Sequence, residues 1–162
     1  MLMDFNNLLM LSHIGFGEIA GFCFLVVAIY LFNRTEKGLA RAKCLSLLGT
    51  LAAVLSWIIG GYYYVTHYGS KVKPVLIAES SNLKWAHKIV IEAKEHIFLF
   101  IPILAIAVFI LLTKTDTWEK IDTKTANRAG MLSLLIFALV ILITTTGAIV
   151  STSVRAILGG GI

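Results

Sequence analysis

Four histidines (His13, His67, His87 and His96) and three carboxylates (Glu18, Glu92 and Glu95) stand inside or at the edges of long apolar stretches of this sequence. Imidazole and carboxylate are costly in a membrane, so within spans they usually face the bundle interior and mark a site. Neutral imidazoles at similar depth on facing helices can ligate iron or another transition metal. Carboxylates beside them can accept protons from a quinol. The densest group is the run Trp-Ala-His-Lys-Ile-Val-Ile-Glu-Ala-Lys-Glu-His at 85–96, which holds two of the histidines and two of the carboxylates.

The elements that position these groups follow from composition. Of 162 residues, 58% are hydrophobic and 14% charged, against about 25% charged in an ordinary soluble domain, which excludes a soluble enzyme. The apolar residues form four blocks, each near the roughly 20 residues that a helical span needs. The reading is an all-α, integral membrane four-helix bundle. It is one domain over residues 1–162, with spans at about 8–32, 44–66, 85–112 and 130–155. The third is the exception, because its clean apolar run, Ile97–Leu112, is short and full length draws in the polar 85–96 segment. Pro74 is expected to break any helix in the 65–84 connection, leaving the apolar tetrad 75–78 along the interface. Tyr62, Tyr63, Tyr64, Tyr68 and Trp85 gather at the same boundary as an aromatic belt, and Trp118 is placed at the other.

The first block follows no basic region and is too long for a signal core, so it is read as a retained span. Cys23 and Cys44 are isolated, without CxxC or CxxCH, so no thiolate cluster or covalent haem is expected. The net charge of +5 is spread over loops and helix ends, which argues against nucleic acid. Arg34, Lys37, Arg41, Lys43, Lys114, Lys120, Lys124 and Arg128 lie on one side, against Lys71, Lys73, Lys84, Lys88, Lys94 and Arg155 on the other. The positive-inside rule then puts both termini, and all four histidines, on the extracytoplasmic side. The setting expected is a bacterial or archaeal cytoplasmic membrane.

Helical spacing groups further residues with the histidines. His13, Gly17 and Gly21 follow at i+4 and make a groove on the first span. Ser56, Gly60 and His67 share a stripe on the second, and Glu92, His96 and Leu99 share one on the third. Small residues let helices approach closely with no ligand at all. They also suit a flat macrocycle beside a ligating histidine. In architecture and in the positions of His13, His67, His87 and His96, the chain resembles the small four-helix membrane b-type cytochromes.

That resemblance implies one or two non-covalent haems b held between histidines of different spans, with electron exchange to a quinone or a partner protein in a larger membrane redox complex. His13 with His96 is the preferred axial pair and His67 with His87 a second. Gly17 and Gly21 would admit the ring edge, Arg155 would meet propionates, and Glu18, Glu92 and Glu95 would move protons. Two other readings use the same residues. One is a His/Glu metal site without porphyrin, on the same four histidines; di-iron bundles use Glu-x-x-His, whereas here Glu92 is followed by Glu95 and then His96. The other is a cofactor-free accessory or anchor subunit of a membrane complex. The Thr144-Thr145-Thr146 run is read as hydroxyls bonding back to their own helix.

Overall fold

The computed structural model describes residues 4–35, 37–78, 84–118 and 121–157, with the side chains of Val75, Ala86, His87, Glu95 and residues 153–157 outside the description. Among the described residues the chain is helical with no strand. The elements are α1 (Phe5–Asn33), α2 (Gly38–Tyr63), a π-helical continuation (Tyr64–Val72), α3 (Lys73–Ile77), a second π-helical segment (Ala86–Ile91), α4 (Glu92–Thr113) and α5 (Thr123–Ile157). Four helices are long and apolar enough to cross a membrane. Consecutive long helices pack side by side, and α5 closes the ring against α1, giving an up-down-up-down bundle.

Each helix turns one stripe inward, in steps of three and four residues. On α1 it runs His13, Gly17, Ala20, Phe24, Val27, Leu31; on α4, Lys94, Phe98, Ile101, Ala105, Val108, Leu112, continuing the line of Ile91 from the π-helical segment before it; on α5, Ala126, Ala129, Ser133, Ile136, Val140, Ile143, Gly147, Val150. Alternating steps of three and four average 3.5 residues, the seam that keeps one face on its neighbours along a bundle. The outward faces are as apolar as the core: Leu99, Phe100, Ile103, Ile106 and Ile110 are all exposed on α4. Lipid tails are as apolar as leucine, so both faces are satisfied.

On α2, glycines 38, 49 and 60 recur every eleven residues, about 20° apart around the helix, and each brings α1 close. A Cβ on Gly49 would stand 2.9 Å from Cys23 Cβ, and one on Gly60 would stand 2.6 Å from the His13 ring. Cys23 is buried and Cys44 exposed, both as free thiols.

Two boundaries differ from the sequence reading. α2 starts at Gly38 and α5 at Thr123, six or seven residues before their apolar blocks, because Arg41, Lys43, Lys124 and Arg128 lie on helical turns that run past the apolar segment. Nor does Pro74 break the chain's helical course. It stands in the first turn of α3, where a missing N–H costs little. The tetrad it precedes is not wholly interfacial either: Leu76 is buried against Tyr68, Val72, Ile91 and Val150 in a second apolar cluster beyond the main core.

Candidate functional site: a polar layer at the histidine end

Between the main core and this second cluster lies a layer that all four long helices build. α1 supplies His13, α2 supplies Ser56 and Gly60, α4 supplies Lys94 and Phe98, and α5 supplies Gly147, every one of them on or beside an inward stripe. His13 and Ser56 clasp one another. The His13 Nδ1–H donates to the Ser56 carbonyl at 2.9 Å, since a carbonyl can only accept, and the Ser56 Oγ–H donates to the His13 carbonyl at 2.8 Å. The same Oγ lies 3.0 Å from Nδ1. The bond fixes the neutral tautomer with Nε2 as its acceptor nitrogen. Gly60 opens the space for the ring, and Phe98 meets it edge-on with centroids 5.2 Å apart. Pro102, one turn further along α4, has no N–H to offer the Phe98 carbonyl.

Lys94 was not singled out as a site residue by sequence reasoning. It stands seven residues before buried Ile101 on the same stripe, and its ammonium lies in the recess left by Gly147, where a Cβ would be 2.9 Å from Nζ. Lys94 and His13 are close enough to interact electrostatically. The signal that finds it is the stripe itself: counting back from Leu112, Val108, Ala105 and Ile101 in threes and fours reaches Phe98 and Lys94.

The other expected residues are distributed as follows. Gly17 faces the Ser56 hydroxyl, 3.4 Å from where its Cβ would be, and Gly21 is met by Val140 of α5 at 3.0 Å. The groove beneath His13 therefore serves helix packing on two sides. Glu92, His96 and Leu99 do share a stripe, but all three are exposed. His96 and Phe98 are about 200° apart around α4, so with Phe98 against His13 the His96 side chain points away from it. His96 donates Nδ1–H to its own helix at the Glu92 carbonyl, 2.7 Å away. His67 lies in the π-helical continuation with its ring tilted 33° to that of Tyr63, centroids 5.2 Å apart. Glu18 is half-buried on α1. The side chains of His87, Glu95 and Arg155 lie outside the described residues. Among the described residues no three histidine, cysteine, aspartate or glutamate side chains converge as a metal site. Thr146 donates back to the Leu142 and Ile143 carbonyls at 2.9 and 3.1 Å, as its place in the Thr run suggests.

The opposite end is closed by side chains from both of its connections. Arg34 takes φ 48° just past α1, with its N–H on the Tyr30 carbonyl at 3.0 Å. Its guanidinium donates to the carbonyls of Trp118 and Ile121 at 3.0 and 2.9 Å and to Thr123 Oγ1 at 2.5 Å, and sits 5.5 Å from the Trp118 ring centre. Trp118 returns Nε1–H to the Thr35 carbonyl at 2.8 Å.

No family model, curated protein or solved structure matches this chain.

Proposed function

We propose that this protein is a small subunit of a membrane redox complex, working through the polar layer at its histidine end, with that end on the extracytoplasmic side. The observation that supports this reading is His13, a histidine on the inward stripe of a membrane helix whose Nδ1–H is held by Ser56. Its Nε2 is left as the nitrogen that can ligate iron or accept a proton from a quinol.

For haem b the described residues fit in part. His13 would offer one nitrogen to the iron, but the pair His13 and His96 does not fit inside the bundle, because His96 faces outward and Val140 fills the groove at Gly21. A haem on His96 would lie at the bundle surface, completed by a partner. The fixed Nδ1–H on the Glu92 carbonyl favours that variant. The second reading, an accessory subunit with no cofactor of its own, is favoured by the way glycines at this level already receive protein side chains.

The reduced-minus-oxidised visible spectrum of the detergent-purified protein separates the readings. A b-type α-band that is lost in His13→Ala supports ligation by His13, and one lost only in His96→Ala supports a haem at the surface. A flat spectrum, both alone and with co-purified partners, leaves the accessory reading. For orientation, a cysteine at Ser70 should react with an impermeant thiol reagent in intact cells, and one at Thr117 should not. The reverse pattern would invert the assignment.

A further inference from the structure

We propose that the Lys94 ammonium, seated in the recess left by Gly147, binds a phosphate oxyanion supplied by the headgroup of a membrane phospholipid. Three observations lead there, and none depends on the redox reading. First, Lys94 occupies an inward position of α4, one heptad before Ile101, between the main core and the outer cluster of Ile91 and Val150. A lysine at the end of a span ordinarily runs its flexible stem out to water; this one is turned to the helix interface. Second, Gly147 stands at the matching inward position of α5, between Ile143 and Val150, and any side chain there would displace the ammonium. Third, among the described residues the ammonium makes no ion pair and no hydrogen bond. Glu92, two residues away, is exposed on another face of α4.

A cation in a low-dielectric setting is tolerated when an anion answers it. The depth selects the class. Lys94 precedes the apolar run Ile97–Leu112 by three residues, about 4.5 Å of helix rise, which is the level of the boundary between hydrocarbon and headgroups. The anions there are phosphodiesters, and an ammonium binds phosphate as a point charge without needing a planar fork.

Native mass spectrometry of the protein from a mild detergent is the test, with thermal unfolding of each variant read alongside to confirm folding. Wild type should retain one phospholipid per chain. Lys94→Gln should lower its occupancy at least tenfold, and Lys94→Arg should keep it. Gly147→Ala, which leaves the charge in place but pushes it from the recess, should lower occupancy several-fold. To separate the two sources of phosphate, delipidated protein is titrated with inorganic phosphate and, separately, with phosphatidylglycerol in detergent. Stabilisation by the lipid and not by inorganic phosphate supports a headgroup site, whereas equal stabilisation by inorganic phosphate overturns the lipid assignment in favour of a free anion. Equal lipid retention by wild type and Lys94→Gln, with no response to either additive, overturns the site altogether.

Discussion

The two ends of the bundle are held by different physics. At the Arg34 end one guanidinium ties the end of α1 to the α4–α5 connection and the start of α5 through three hydrogen bonds and an aromatic face, and Trp118 closes the loop back to Thr35. At the histidine end, polar groups enter recesses left by glycine: His13 on Gly60, Ser56 on Gly17, and Lys94 on Gly147. The helical winding changes there as well, to π over Tyr64–Val72 and Ala86–Ile91, a rare form that occurs mostly as single turns inside α-helices and frequently at functional sites. The first end is fastened by charge-assisted bonds, whereas the second is shaped by absent side chains. Stability should respond to deleting groups at the first end and to adding atoms at the second.

The largest effect is expected from Arg34→Ala. It removes three bonds from a charged donor and leaves the Trp118 and Ile121 carbonyls without it. The cost should be about 2–4 kcal/mol, read as a lowered thermal midpoint in detergent, and Arg34→Lys should recover little of it because an ammonium cannot span the same acceptors. An unchanged midpoint would remove the distinction between the ends.

Next is Gly60→Ala, which forces a methyl into the His13 ring and should cost about 1–3 kcal/mol. Combining it with His13→Ala should recover part of that loss, since the two positions share one space. Additive costs would mean that the ring and the glycine do not meet.

The smallest effect belongs to Asp122, which caps α5 from an exposed position. Its carboxylate accepts the Thr125 hydroxyl at 2.5 Å and the Thr125 N–H at 2.9 Å. The Thr125 hydroxyl bond first, and then the backbone N–H bond, hold its pKa below the ordinary value. A carboxylate with a depressed folded pKa stabilises fully above its unfolded value of about 3.9 and loses that contribution as pH falls through the folded value. Unfolding midpoints of wild type and Asp122→Ala, compared from pH 6 down to pH 3, should converge at the acid end. A constant gap would remove the link between the cap and titration.

Much of the architecture is legible in the sequence because a membrane span is a statement about length and apolarity. The four blocks give four helices, and Pro74 is misread only because its place in a first turn depends on the winding before it. Facing is another matter. On α4 the spacing groups Glu92, His96 and Leu99 correctly but turns them inward, when they are the exposed face. A soluble helix would announce its inner stripe by contrast with a polar one; here the lipid side is as apolar as the core, and rotation is set by Ile101, Ala105, Val108 and Leu112 fitting between α2 and α5. The Arg34 knot is illegible for a different reason. Its bonds join residues 84–89 positions apart in the chain, and neither partner carries a local motif.

Lys94 also bears on how the chain enters the bilayer. A lysine near the middle of a span raises the insertion free energy by roughly 2.5–3.5 kcal/mol, less towards its ends, and α4 carries its lysine on the side that later turns inward. The recess that receives the ammonium belongs to the helix made after it. α4 and α5 are therefore partners in biogenesis as well as in packing: the third crossing is completed by the arrival of the fourth, and a chain ending after α4 would leave a charge at the lipid boundary with no glycine to receive it.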